Sequence, residues 1–479
     1  MPTSTPHDGV VLARIAALSD QAWSTGPADQ HERIGRLRAR LAEPLQVAVA
    51  GRVKAGKSTM VNALLGQRVA RTDARECTRV VTWFRYGPSE RVTVLGRDGS
   101  RTRTRLDSAG LVPEDLGRPL DQIAAVEVEL SLVRLRAFSL ADTPGLDSPE
   151  ALTSQTTTDL LGVDSDSQAA IAAAEAVLFV LNQTVRQSDV DVLRGFRALA
   201  HGAGNDVVSA FAVLNKADLF DGPDPMVTGA RIAARFAAEL RGEVAGVLPY
   251  SGLLAEVARC GLFTEADATA LGQLAGLDQG QRERMLLSEA SFYCAPSELP
   301  EASRRRLWGL LREAGVRVAL QAIDEGASGA SAVRSKLAAR SGHPDLDGHL
   351  TKLFESNASA LKATAALADL EAIAWIVGGS WGAELRDRIE AMRLDPHLHV
   401  LAEMAALRQL HRGEVTLPSD LADELADFLS TPPAARTDTA AGLRRWQTYA
   451  NSDVRPVQAQ VARVMVRSYE LASQQRCTP

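Results

Sequence analysis

The sequence predicts an α/β domain built on a mostly parallel sheet, followed by an all-α helical bundle. Three observations predict it. Residues 46–66, QVAVAGRVKAGKSTMVNALLG, pass from an apolar β-branched stretch through a glycine-bearing turn into an apolar helical pattern. From residue 46 to about 260, short apolar strands alternate with helical segments, as in a sheet wrapped by crossover helices. From residue 323 onward no strand pattern occurs, and apolar residues recur at helical spacing instead.

The elements follow in order. Residues 10–43 hold two amphipathic patterns, Leu12, Ile15, Leu18 and then Ile34, Leu37, Leu41, and Pro44 ends them before the first strand. The expected division is an N-terminal helical segment (1–44), the α/β domain (45–322) and the helical bundle (323–479). VTVLGRDGSRTRTRL, residues 92–106, reads as a hairpin, and the polar residues 150–172 read as a loop. Residues 261–322 read as helical, with an irregular stretch around CAPSELP (294–300). The stripes Leu367, Leu370, Ala374, Val377 and Val457, Val461, Val464, Ser468, Leu471 read as bundle core, and the neighbourhood of RTDTAAG, near 433–442, as a loop. No internal repeat is visible.

Composition narrows the function. A chain of 479 residues supports two or three domains. The cysteines Cys77, Cys260, Cys294 and Cys477 are too scattered for a metal-ligand pattern and suit a reducing cytoplasm. The polar N-terminus MPTSTPHDG does not read as a signal peptide, and no uncharged apolar run reaches membrane-spanning length. A net charge of −6 without a long basic run argues against nucleic acid as a partner. Of 53 basic residues only six are lysine, and Lys54, Lys57 and Lys216 fall inside the motifs below. Arginine's planar fork does not replace a compact ammonium at a phosphate.

The motifs carry the chemistry. Gly51 to Ser58 fits G-x-x-x-x-G-K-[ST], a loop whose backbone, here Gly51, Arg52, Val53, Lys54, Ala55 and Gly56, wraps a nucleotide β-phosphate. Lys57 reaches the β- and γ-phosphates, and Ser58 offers a hydroxyl to Mg²⁺. The helix that follows, through Thr59, adds its N-terminal dipole. FSLADTPGLDS (138–148) ends a strand in Asp142-Thr143-Pro144-Gly145, where a carboxylate can orient Mg²⁺ and the Gly145 amide can meet the γ-phosphate. SAFAVLNKADLF (209–220) ends another in Asn215-Lys216-Ala217-Asp218. Asp218 can accept two hydrogen bonds from guanine N1 and N2, which adenine cannot supply. Lys216 would lie over the base and Asn215 would brace the phosphate loop. GTP and GDP are therefore the expected ligands, with Mg²⁺.

This order of motifs resembles the translation-factor-like class of GTP-binding proteins. The resemblance implies a first switch at Cys77-Thr78-Arg79, with Thr78 sensing Mg²⁺ and γ-phosphate. It also implies a final base-lining loop in VLPYSGLLA (247–255), with Tyr250, Ser251 and Gly252 nearest the guanine. Leu146 stands where many small GTPases place a water-orienting glutamine, so the hydrolytic water must be positioned another way.

The wider layout resembles the bacterial dynamin-like proteins, and among them the isoniazid-inducible protein C family. The matching segments are KAGKSTMVNALLG, CTRVVTWFRYG and DTPGLDS, with LKATAALADLEAI and RPVQAQVARVMVRSYE farther on. The resemblance makes the helical bundle a stalk and implies a GTPase that pairs with another GTPase domain, its own or a partner dynamin's. Hydrolysis swings the stalk and acts on a membrane, peripherally, at the inner face of the plasma membrane. Helices from both chain ends would then pack together beside the GTPase domain. Two departures stand out: there is no lipid-binding β-domain, and Val53 and Lys54 replace the Gln and Ser of eukaryotic dynamins. Lys54 is then a candidate cation for the β–γ bridging oxygen. At AIAWIVGGSWGAEL (372–385), Gly378 and Gly379 break a helix between Trp375, Ile376, Val377 and Trp381, which either pack in the bundle or meet a headgroup boundary. A GTP-regulated protein scaffold and an RNA-directed GTPase are the alternatives, and the latter lacks the basic module it needs. Asp395-Pro396-His397-Leu398-His399 reads as a turn.

Overall fold

The computed structural model describes residues 6–72, 80–144, 174–183, 190, 191, 193, 209–222, 224–430 and 439–476. Its centre is a nine-stranded sheet in the order β4-β3-β5-β2-β6-β1-β7-β8-β9. The strands are β1 Leu45–Gly51, β2 Thr82–Tyr86, β3 Arg91–Gly96, β4 Arg101–Thr104, β5 Ile123–Leu130, β6 Phe138–Asp142, β7 Ala176–Leu181, β8 Ala210–Leu214 and β9 Val247–Pro249. Strands β6, β1, β7, β8 and β9 run parallel to their neighbours. β2 is antiparallel to β6, β2 and β5 are parallel, and β3 is antiparallel to both β4 and β5. All seven residues of β1 are buried, as a strand covered on both faces requires. The expected hairpin is β3–β4, closed by Gly96 N–H donating to Ser100 O at 2.8 Å.

One sheet face packs on α3 (Lys57–Leu65) and continues into a single apolar cluster that includes Leu346, Leu350 and Phe354 and the bundle residues Leu407, Leu425, Trp446 and Met465. The other face holds Val177, Phe179 and Ala212 against Ala233 and Phe236 of α4 (Pro225–Glu239). A third core joins α5 (Gly252–Arg259) to helices Glu265–Ala275, Glu301–Asp324 and Gly329–Arg340. That core runs across residue 322, because Leu320, Val333 and Leu337 share it.

Beyond residue 340 every described element is helical. Helices α1 (Pro6–Thr25) and α2 (His31–Ala42) bury Ile15, Leu18, Ile34 and Leu37 against Leu367, Leu370 and Ile373 of helix Ala358–Val377. In the last helix, Pro456–Arg476, Val461 and Ser468 are buried while Val457 is 41% exposed. The loop expected near 433–442 ends sooner: helix Thr439–Ala450 already includes Thr439 to Gly442. Gly442 is tolerated there because it meets the Tyr469 ring; a Cβ would lie 2.4 Å from that ring. Asp395 to His399 form the expected turn, with His399 Nε2 held by Val464 O and Ser468 Oγ, 3.1 and 3.0 Å away.

The sheet and stalk meet at a buried charge cluster. Lys362, 3% exposed, donates from Nζ to Arg40 O at 2.6 Å and to Glu43 O, and stands 3.7 Å from Glu175 Oε1. Glu175 precedes β7 and accepts from Gln46 N–H of β1 at 3.0 Å. Arg40 bridges Glu175 and Asp369, 3.9 and 3.3 Å away. Burial pushes the Glu175 carboxyl up and the Lys362 ammonium down, and each is the other's main compensation. Removing one partner strands the other's charge in the core. Lys362→Met is expected to cost about 3–5 kcal/mol of stability, and Lys362→Met with Glu175→Gln to recover most of it, as measured by denaturant unfolding.

Candidate functional site

The site is assembled at the carboxyl ends of the parallel strands, where open α/β sheets bind ligands. β1 ends at Gly51, whose φ of +148° and close approach to Val180 O exclude a side chain: a Cβ would lie 2.5 Å from that oxygen. The chain turns through Ala55 N–H donating to Arg52 O at 3.2 Å, and α3 starts at Lys57 behind Gly56, φ +91°. Lys57 Nζ folds over this loop and donates to Gly51 O at 2.9 Å and Arg52 O at 3.1 Å. Val53 is half-buried, and Lys54 is exposed with φ +61°, a strained conformation for a lysine.

Asn215 ties the segments together. Its Nδ2 donates to Ala55 O at 2.7 Å, and its Oδ1 accepts from Gly252 N–H at 2.9 Å. Lys216, at φ +60°, crosses the loop and donates from Nζ to Lys54 O at 2.7 Å. Asp218 follows on a short turn; burial pushes its carboxyl up, and a hydrogen bond from Ser251 partly offsets this. Gly56, Thr59, Asn215, Lys216, Asp218 and Gly252 line one cleft of about 1170 Å³. Gly56 and Thr59 bring the end of the phosphate loop to this cleft, and Lys216 and Asp218 bring a lysine and a desolvated carboxylate.

On the opposite side of the loop, Ser58 Oγ donates to Asp142 Oδ2 at 2.7 Å, with Asp142 1% exposed at the end of β6. Thr143 Oγ1 donates to Val49 O at 2.8 Å and fixes the chain after it. Two hard oxygens converging beside a phosphate loop fit Mg²⁺, which takes few protein ligands alongside phosphate oxygens and water. Among the described residues no cluster of three or more His, Cys, Asp or Glu side chains suits a metal. Thr78 and Gly145 lie outside the described residues.

One expectation needs correction. Tyr250 does not present its side chain to the base. It is fully buried in the sheet-to-bundle core, 3.2 Å from His343 Nδ1, and burial drives its phenol's pKa up and that of His343 down to about 4. A tyrosine's size favours the core over a cleft edge that backbone can serve, and the backbone does serve it: Ala217 N–H donates to Tyr250 O at 3.0 Å. Ser251 and Gly252 do face the cleft region, through the Asp218 and Asn215 contacts.

Sequence patterning missed three neighbours. Helix Glu301–Asp324 packs on the 217–219 turn and lines the cleft with Trp308, Gly309 and Arg312, where its path breaks at φ +53°. Ser251 N–H donates to Ser341 O at 2.8 Å, which docks the chain leading to the stalk on the base loop. Asn62, inside the apolar run MVNALL, is fully buried. A polar residue in such a run is the one signal the sequence offered.

Phosphate loop, carboxylate after β6 and NKAD turn after β8 together define a P-loop GTPase with a guanine-type base site. Residues 47–216 match the Dynamin family. The isoniazid-induced protein IniC of Mycobacterium tuberculosis is 35% identical over 378 residues, 77% of this chain and 75% of that protein. A bacterial dynamin-like protein of Nostoc punctiforme is 32% identical over 121 residues, 22% of this chain and 17% of that protein. A solved oligomerised bacterial dynamin pair, described as sensing and tethering membranes at long range, covers 100% of this chain and 76% of its own at 13% identity and a TM-score of 0.38. The chain belongs to the IniC family of bacterial dynamin-like GTPases.

Two substitutions test the site. Asp218→Asn exchanges the paired acceptor for one acceptor and one donor. It is expected to shift preference from guanine to xanthine nucleotides by about a hundredfold or more, read by competition among GTP, XTP and ATP. Equal wild-type affinity for ATP and GTP would refute the base assignment. Lys57→Ala is expected to abolish measurable nucleotide binding in the same assay.

Proposed function

We propose that this GTPase couples GTP hydrolysis to nucleotide-dependent membrane association and remodelling at the inner face of the plasma membrane. In this proposal its GTPase domain pairs with a second one, from another copy or a partner dynamin. The observation that supports this reading is the far end of the stalk. Helix Ala358–Val377 carries Lys362 in the joint with the sheet and, about 20 Å farther along at 1.5 Å per residue, Trp375 and Ile376 in solvent. These are 66% and 65% exposed, and the Arg386 guanidinium stacks 4.1 Å from the Trp375 ring centroid. Gly378 and Gly379, both at positive φ, turn the chain there. Trp381 instead packs inward and donates to Thr25 Oγ1 at 3.1 Å. An exposed Trp–Ile pair beside an arginine suits a shallow, reversible lipid contact. No helix among the described residues is long and apolar enough to cross a membrane.

In the site, the loop residues 51–56 and Thr59 bind the phosphates, Asn215, Lys216 and Asp218 bind guanine, and Ser251 and Gly252 close the base side. Ser58 and Asp142, with Thr78, would hold Mg²⁺, which would supply charge neutralisation at the phosphates. Lys57 neutralises phosphate charge in ground and transition states alike. The sequence motifs assign the Gly145 amide to the γ-phosphate and Thr78 to ordering the switch, and both lie outside the described residues. The exposed Lys54 would supply a cation to the β–γ bridging oxygen as charge develops there.

Lys54→Ala is expected to lower kcat about a hundredfold with nucleotide affinity unchanged. Thr78→Ala should likewise spare binding and remove most turnover. Steady-state phosphate release beside labelled-nucleotide binding measures both, and wild-type kcat in either variant removes that residue from catalysis.

For the membrane contact, Trp375→Glu with Ile376→Ser is expected to abolish co-sedimentation with anionic liposomes while GTP turnover in solution persists. Unchanged co-sedimentation would leave a GTP-regulated protein scaffold as the better account.

A further inference from the structure

Asn62 lies one helical turn beyond Ser58 on α3, so the two side chains share a face. Its Oδ1 accepts from Val69 N–H at 3.0 Å and Ala70 N–H at 2.8 Å. Its Nδ2 donates to Ala70 O at 2.9 Å and to Glu256 Oε1 at 2.8 Å. Both lone pairs and both protons of the amide are thus used, in a residue with no solvent exposure. The backbone at 69–70 is thereby fastened to the helix that carries Lys57 and Ser58. Arg71 extends the fastening with Nε to Val112 O at 2.8 Å and with pairs to Asp107 and Glu114.

Glu256 carries the connection to the base side. It is 5% exposed on α5, whose first turn holds the Gly252 amide on Asn215 and the Ser251 side chain on Asp218. Arg68 Nε stands 3.6 Å from Oε1, and Cys260 of the same segment donates from Sγ to Asn62 O at 3.3 Å. Burial raises the Glu256 carboxyl above its ordinary range, so its use here costs more than an apolar residue of that size would. An amide–carboxylate pair kept at that cost fixes a register that apolar packing leaves loose.

The geometry points to Asn62 and Glu256 as positioning residues for GTP hydrolysis, holding the chain that leaves α3 in fixed register with the base-reading loop. The inference rests on the GTPase activity and not on the membrane reading. Asn62 does not line the cleft, and Glu256, which does, spends its carboxylate on the Asn62 amide; each acts through backbone, Asn62 at residues 69–70 and Glu256 through α5.

A purely structural role and a positioning role part in the kinetics. Glu256→Ala leaves two Asn62 contacts to Ala70 in place but frees the amide from α5. It is expected to lower kcat about tenfold to a hundredfold while GDP affinity stays within about threefold. Glu256→Gln keeps an acceptor at the same place and is expected to retain most of the turnover. Wild-type kcat in Glu256→Ala overturns the inference, as does a parallel loss of kcat and GDP affinity, which a loosened fold would give. If Glu256→Ala does not fold, Glu256→Met, which fills the same volume, is read by the same two outcomes. Equal wild-type affinity for ATP and GTP would instead count against the base site, and the kcat comparison between Glu256→Ala and Glu256→Gln decides the register separately.

Discussion

The Asn215 side chain is the constraint on which the site depends. One amide spans the phosphate loop at Ala55 O and the base loop at Gly252 N–H, and it needs glycine at residue 56 and is tightly fitted at Gly252. A Cβ on Gly56 would lie 2.3 Å from Asn215 Nδ2, and one on Gly252 3.1 Å from Oδ1. The phosphate loop and the base loop are thereby held together through a single side chain. The positive φ of Lys216, next in sequence, is the conformational cost of turning the chain from that bridge toward Asp218.

From that cleft two polar contacts lead toward the stalk. Ser251 donates its N–H to Ser341 O, directly beside the Asp218 contact. Gly342 comes so close to Pro249 that a Cβ would lie 2.4 Å from its carbonyl oxygen. The segment 341–342 is therefore seated on the base loop before helix His343–Leu350 begins. At the opposite, amino ends of the parallel strands, Glu175 at the foot of β7 holds Lys362 of the long stalk helix, with Arg40 and Asp369 completing the cluster. A buried ion cluster is costly compared with apolar packing and defines a narrow set of arrangements. That combination suits a joint between a nucleotide-binding body and a lever.

Much of this was legible in the sequence because it rests on local rules. Gly51, Gly56, Lys57 and Ser58 occur at a spacing that only a phosphate loop explains, and the apolar strands before Asp142 and Asn215 placed both at sheet ends. The paired stripes in residues 10–43 gave α1 and α2, since Ile15, Leu18, Ile34 and Leu37 are all in the core. What escaped depended on contacts distant in sequence. Tyr250 was assigned to the base, but His343, 93 residues on, and the bundle core claim its ring. The start of helix Thr439–Ala450 reads as loop in sequence, and its Gly442 is accounted for only by the Tyr469 ring that packs against it. Trp375 and Trp381 look alike in sequence, yet one is exposed and the other is taken by Thr25, a partner supplied from the opposite end of the chain.

In the proposed function, turnover rises when GTPase domains pair, and a membrane promotes that pairing. This coupling is tested most directly by measuring GTP hydrolysis per molecule across a range of protein concentrations, with and without anionic liposomes. The account predicts specific activity that rises with concentration in solution and reaches its plateau at lower concentration on liposomes. Specific activity independent of both concentration and lipid would contradict it.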